Sequence, residues 1–190
     1  MSDDGLVRCG WAAVRPGPDF ELYRDYHDQE WGRTVRDGVA LFERMSLEAF
    51  QSGLSWLIIL RKRQNFRRAF SGFAIEKVAR YTDADVSRLM ADTGIVRNRA
   101  KIEATIANAR AAADVDDLSE LLWSFAPAPR ARPADASKIP ATTAESTAMA
   151  RELKRRGFRF VGPTTAYALM QATGMVDDHL RTCWVPLAAR

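Results

Sequence analysis

The chain contains two cysteines and two histidines, and they fall as pairs near its two ends: Cys9 with His27, and His179 with Cys183. Two thiolates and two imidazoles are a complete tetrahedral zinc set with no position left open for water, so such a site would cross-link the fold rather than run chemistry. The His-x-x-x-Cys spacing of the second pair predicts both side chains on one face of a helix, one turn apart. The alternative is two buried cysteines and two unrelated histidines, because no Cys-x-x-Cys anchors the set.

A second group places a carboxylate among apolar residues. Glu48 sits in Ser46-Leu47-Glu48-Ala49-Phe50, and the first third of the chain is dense in aromatics: Trp11, Phe20, Tyr23, Tyr26, Trp31 and Trp56. Rings that stack on the faces of a flat base, with a carboxylate accepting from its edge, suit an electron-poor or cationic base. Core aromatics and an exposed Glu48 paired with an arginine are the plain alternatives. A third group is the run from Arg155 to Ala166, RRGFRFVGPTTA. A helix ends, a tight apolar-glycine hairpin follows, and a second helix begins with its amides free. Such amides and the helix dipole make an anion site, and glycine lets backbone approach a phosphate closely. The run resembles the helix-hairpin-helix element of DNA repair proteins, which grips the sugar-phosphate backbone without reading sequence. An ordinary helix–helix turn is the alternative.

Helical signals dominate the elements that must hold these groups. Asp37 caps a helix through Val39, Leu41, Phe42 and Met45 to Phe50, ended by Gly53. Ser55 restarts a helix through Trp56 and Ile59 to Phe70. Thr82 with Asp85 forms a capping box for a short helix closed by Gly94. Helices are then predicted over Arg99–Ala113 and Leu118–Phe125. Residues 126–142, APAPRARPADASKIPAT, carry four prolines and no apolar period, and read as the only extended loop. Thr142 with Glu145 opens a helix ending at Gly157, and Gly162-Pro163 opens another ending near Gly174. Asp177 or Asp178 caps a last turn that carries His179 and Cys183. The fold class is all-α, with about eight short helices in one domain spanning residues 1–190 and a disordered tail over residues 1–7.

Bulk properties fit that picture. A chain of 190 residues, 47% hydrophobic, can bury a real core. No apolar run approaches the roughly 20 residues of a membrane span, and the start MSDDGLVRCGW lacks the layout of a secretion signal. With both cysteines proposed as metal ligands, a cytoplasmic setting follows. The net charge of +4 is a weak pointer to nucleic acid. Basic clusters at Arg61-Lys62-Arg63, at Arg97-x-Arg99-x-Lys101 and at Lys154-Arg155-Arg156 with Arg159 strengthen it, because they recur near glycine-containing helix junctions.

Several segments together are specific. Arg8-Cys9-Gly10-Trp11, Tyr26-His27-Asp28-Gln29-Glu30-Trp31-Gly32, Leu47-Glu48-x-x-Gln51-x-Gly53-Leu54-Ser55-Trp56, Arg156-Gly157-Phe158-x-Phe160-Val161-Gly162 and Asp178-His179 resemble the 3-methyladenine DNA glycosylase I (Tag) family, in family order and spacing from about residue 8 to 183. The resemblance implies an all-helical helix-hairpin-helix glycosylase that flips out 3-methyladenine and hydrolytically releases it from alkylated double-stranded DNA; nothing in the sequence points to more than a monomer. It implies one structural zinc per chain on Cys9, His27, His179 and Cys183. Glu48 falls on the family's acidic base-recognition residue, and Trp11, Tyr23, Tyr26 and Trp56 on pocket aromatics. Gly53 and Leu54 resemble the tip that enters the duplex where the base has left, while Phe160, Val161, Gly162, Thr164 and Thr165 fall on the phosphate-gripping hairpin. Ala49-Phe50 departs from the family's smaller or polar residues beside Glu48.

Val176-Asp177-Asp178-His179 raises one further candidate. Helix-hairpin-helix glycosylases outside the Tag family carry a catalytic aspartate in a Val-Asp-x-His context, a position where Tag proteins are described as having asparagine. Asp177 is therefore a candidate to stabilise an oxocarbenium-like sugar, with helix capping beside the metal as its alternative role. A non-catalytic sensor of damaged DNA is the competing class, and it would have no need of Glu48 in an aromatic pocket. A zinc hydrolase is disfavoured, because four protein ligands leave no site for activated water.

Overall fold

A computed structural model describes residues 4–13, 17 and 19–187, and among them there is no strand. Nine α-helices follow in order: α1 Phe20–Gln29, α2 Gly38–Gln51, α3 Trp56–Ala69, α4 Ile75–Ala79, α5 Asp83–Ala91, α6 Arg99–Ala113, α7 Leu118–Trp123, α8 Ala144–Arg155 and α9 Pro163–Ala172. No helix among the described residues is long and apolar enough to cross a membrane.

Local chemistry sets most boundaries. Asp37 accepts from the Ala40 amide at 2.8 Å to start α2, Asn98 accepts from Lys101 at 3.1 Å to start α6, and Thr82 with Asp85 forms the capping box of α5. The opening expected at Thr142 with Glu145 is displaced by one residue: Thr143 and Ser146 make the reciprocal bonds that cap α8. Helix α1 was not among the expected elements.

Helix α2 is the hub. Its residues from Met45 to Phe50 are all buried, and it packs on α3, α6, α7 and α9. Phe42 and Phe50 of α2 join Phe66, Phe70 and Phe73 in a ladder of rings, each fully buried. Burying side chains of this kind stabilises by about 1.5–3 kcal/mol each, which holds α2 rigidly enough to carry a functional side chain.

One expectation changes. The segment with His179 and Cys183 is a turn, not a helix. Two of its amides are committed to distant partners, Arg181 to the Pro133 carbonyl and Leu180 to Cys9 Sγ, and Cys183 only closes a turn on Leu180, so no helical ladder forms. Of the tail expected over residues 1–7, residues 1–3 lie outside the described residues. Asp4 is ion-paired to Arg8, and the Val7 carbonyl binds Trp184. The proline-rich 126–142 segment contains a 3-10 turn over Ala136–Lys138, and Arg130 and Arg132 tie it to Asp178 and Asp177.

Glycine is required where two loops meet. Gly174, at φ +75°, lies so close to Gly32 and Arg33 that a Cβ would fall 2.8 Å from backbone. Gly32, at φ +76°, lets the His179 ring come within 3.1 Å of where its own Cβ would be. Both positions favour a residue without a side chain.

Candidate functional site

The fold brings the first and last thirds of the chain together at one buried cluster. Ligand atoms of Cys9, His27, His179 and Cys183 all lie within 4.8 Å of one another, and together they could hold a metal ion. Cys183 Sγ is 3.5 Å from both His27 Nε2 and His179 Nδ1, and Cys9 Sγ is 3.7 Å from His179 Nδ1. Each histidine is oriented through its other nitrogen: His27 Nδ1 meets Asp28 at 2.7 Å, and His179 Nε2 meets the Trp31 carbonyl at 3.1 Å. Such outer contacts fix the tautomer and leave a lone pair facing the cluster. Asp28 is itself clamped by Arg8, and Leu180 donates its amide to Cys9 Sγ. Burial pushes the Cys9 thiol up to about 12 and holds His179 down to about 4. Thiolates here would need a cation to offset their desolvation.

A cavity of about 400 Å³ adjoins the cluster, lined by Trp11, Tyr23, Tyr26, Trp31, Glu48, Gln51, Trp56, Ile139, Ala168 and Gln171. Trp11 and Trp31 join the two features. Trp11 packs edge-on against Tyr23 and Trp31 with centroids 5.9 and 5.2 Å away, and also against His27 at 5.2 Å, while Trp31 lies 4.7 Å from His179. Tyr26 and Trp56 form the neighbouring wall, 5.2 Å apart. Movement of this cysteine–histidine cluster would therefore move the cavity wall.

Glu48 projects from the buried stretch of α2 and is 6% exposed. Its carboxylate has no hydrogen bond or ion pair with any described residue, and burial raises it to about 8. Arg44, one turn earlier, opposes that rise from a distance, but its guanidinium is engaged by Glu30 at 2.6 Å. An unpaired buried carboxyl is costly, and in a cleft it marks a site built for a ligand. The cavity can enclose a flat ring system between aromatic faces and offer it a carboxylate acceptor.

The other sequence candidates divide by place. Gly53, at φ +79°, and Leu54 form the exposed turn between α2 and α3. Lys101 steadies that turn from α6, donating its ammonium to the carbonyls of Phe50 and Ser52. In the α8–α9 turn, Phe160 is exposed with φ +54°, whereas the Val161 side chain is buried, so only its backbone can meet a partner. Gly162 caps α9 without a side-chain bond, so the first-turn amides of Thr164 and Thr165 have no side-chain cap. Asn108 clamps the turn by bonding both the amide and the carbonyl of Arg159, at 2.7 and 3.0 Å.

Asp177 is not a cavity-lining residue. One oxygen pairs with Arg132 and the other accepts the His179 amide at 3.1 Å. Trp31, Gln51, Ile139, Ala168 and Gln171 line the cavity without having been singled out as base contacts. Neither Gln171 nor Ile139 had a signal in the sequence that pointed to the cavity.

Comparison with known proteins agrees with this geometry. The methyladenine glycosylase family matches residues 17–186. DNA-3-methyladenine glycosylase 1 of Escherichia coli K12 is 44% identical over 184 residues, covering 94% of this chain and 96% of that protein. A crystal structure of 3-methyladenine DNA glycosylase I superposes with a TM-score of 0.88 at 43% identity, covering 94% and 98% of the two chains. A variant of 3-methyladenine DNA glycosylase I in complex with 3-methyladenine superposes with a TM-score of 0.85 at 34% identity, with the same coverage.

Proposed function

The chain belongs to the methyladenine glycosylase family, and from that premise we propose that it excises 3-methyladenine from alkylated double-stranded DNA in base-excision repair, acting as a monomeric single domain. One observation carries the reading: a buried, unpartnered Glu48 in a cavity walled by aromatic rings.

Methylation at N3 makes the adenine cationic and weakens its glycosidic bond, so little acid catalysis is required. The bond from N9 to C1′ breaks with its electron pair staying on the base. Water adds to C1′ and gives its proton to solvent. The protein's task is extraction and recognition. Unstacking costs a few kcal/mol and less for a damaged base, while cation–π contact in a dry pocket returns about 2 kcal/mol per well-placed ring. Trp11, Tyr23, Tyr26 and Trp56 are the rings in question, and Glu48 accepts from the amine-bearing edge. Leu54 fills the vacated stack. The segment from Phe160 to Thr165 acts as a helix-hairpin-helix grip whose free amides hold phosphate, a role supported by the uncapped start of α9.

Cys9, His27, His179 and Cys183 would together hold a structural zinc. Zinc–sulfur bonds of about 2.3 Å and zinc–nitrogen bonds of about 2.0–2.1 Å imply tetrahedral S···N edges of about 3.6 Å. The observed 3.5–3.7 Å separations support that fit. Zinc would hold the two thiolates and two imidazoles together and leave no open position for water. Asp177, already engaged by Arg132 and the His179 amide, supports this clasp rather than the reacting sugar.

The test is base release. N-methylated duplex DNA incubated with the protein should yield free 3-methyladenine by chromatography, and Glu48→Gln should cut that release at least ten-fold. Full release by the variant, or none by the wild type, contradicts the proposal.

A further inference from the structure

Asp178 makes a network that the excision mechanism above does not use. Its side chain is fully buried, and every contact it makes is with a donor: Arg130 Nη2 at 2.7 Å, Tyr167 Oη at 2.6 Å and Gln171 Nε2 at 2.9 Å. Tyr167 and Gln171 stand one turn apart on α9, and Arg130 comes from the proline-rich segment. Gln171 lines the base cavity and Asp178 does not. A carboxylate ion-paired to arginine can only accept hydrogen bonds. The amide of Gln171 must therefore turn its nitrogen toward Asp178 and away from the cavity. Its carbonyl oxygen is left over, and no described residue donates to it.

We infer that Gln171, locked in one amide orientation by Asp178, offers its carbonyl oxygen to the flipped base as a second acceptor beside Glu48. This makes Gln171 a specificity-determining residue and Asp178 a positioning residue. The inference deepens the glycosylase reading and rests on it. Two acceptors suit an edge that carries an amine, as adenine does at C6. They oppose an edge that carries a carbonyl oxygen, as guanine does at the same atom, because two acceptors that face each other without a proton leave both buried and unpaired.

The experiment compares release of 3-methyladenine and 3-methylguanine from methylated DNA, and affinity for free 3-methyladenine, in the wild type, Gln171→Met, Asp178→Asn and the double variant. Loss of one buried hydrogen bond predicts a fall of roughly three- to ten-fold in kcat/KM for 3-methyladenine and in free-base affinity for Gln171→Met. The ratio of 3-methyladenine to 3-methylguanine release should fall with it. Asp178→Asn can donate to the Gln171 carbonyl, turn the amide over and present its nitrogen to the base, so the ratio should fall there as well. Because Asp178 acts through Gln171, adding Asp178→Asn to Gln171→Met should leave the ratio where Gln171→Met put it. A Gln171→Met protein that melts like the wild type and keeps both ratio and affinity within two-fold overturns the inference, as does a further fall in the ratio in the double variant. If Asp178→Asn does not fold, Gln171→Met decides alone. A wild-type protein that releases no 3-methyladenine defeats the glycosylase reading instead, so the two failures are distinguishable.

Discussion

Replacing Glu48 with glutamine should make the protein more stable while it damages function. In the folded chain burial raises the Glu48 carboxyl from the ordinary 4.5 to about 8, and no described donor relieves it. A group whose folded pKa is raised binds its proton more tightly when folded, so unfolding releases that proton and becomes easier as pH rises. The deficit is absent below pH 4.5, grows between 4.5 and 8, and levels off above 8. Linkage puts it at about 1 kcal/mol at pH 5, about 3 kcal/mol at pH 7 and about 5 kcal/mol above pH 8. A buried amide and a buried neutral carboxyl carry similar polar costs, so Glu48→Gln isolates the cost of ionisation. For a chain of this size the difference at pH 7 corresponds to a rise of roughly 6–12 °C in Tm. Urea unfolding of both proteins at pH 5, 7 and 8.5 reads the effect directly, with the m-value unchanged. A variant no more stable than the wild type at pH 8.5, or a difference independent of pH, would refute the reasoning, because either result means that Glu48 already has a partner when folded.

Three further outcomes follow from the same geometry. Since the ionised form of Glu48 accepts from the base, kcat/KM for 3-methyladenine release should rise with pH through a midpoint near 8 to a plateau above it, and a pH-independent profile in the wild type would count against that role. Cys9→Ser should lower zinc content, measured by elemental analysis, well below one per chain, and should lower Tm by at least about 5 °C, because binding at a structural zinc site is folding free energy. Retention of one zinc and a wild-type melt contradicts the clasp. Asp177→Asn should leave single-turnover excision within a few-fold of wild type and lower Tm modestly, since it weakens the pair with Arg132; a loss of a hundred-fold in rate would return Asp177 to the reacting sugar.

What could be read from the sequence was local or compositional. Asp37, Asn98 and the Thr82–Asp85 box lie within a turn of the amides they cap, so their chemistry is contained in a few adjacent letters. The cysteine–histidine cluster joins residues 170 apart, and it was legible because the chain offers no other cysteine or histidine and because the family resemblance falls on all four. Helix α1 had a signal in Phe20, Tyr23 and Tyr26, whose three-residue spacing is helical, but those residues also read as site aromatics. The form of the His179–Cys183 segment depends on Cys9 and Pro133 taking up its amides, and no spacing rule contains distant partners. Ile139 and the orientation of Gln171 are set in the same way, by a loop that returns to the cavity and by a carboxylate behind it.

Glu48 and the proposed zinc clasp are parts of one stability problem. A carboxyl held near 8 in a cavity tends to draw in water or let the walls collapse, and either outcome would spoil recognition of a flat cation. The walls resist because they are fixed from outside. Trp11 and Trp31 pack on the histidines of the cluster, and Gly32 and Gly174 let the two chain ends come close enough for those contacts to form. A cross-link with a large binding free energy can offset several kcal/mol of local cost, which hydrophobic packing at the cavity itself could supply only by filling the space a base needs. The cluster should therefore be more important in the wild type than in Glu48→Gln. Removing zinc should cost the wild type its base affinity before its helices melt, and the glutamine variant should retain its fold to lower zinc occupancy.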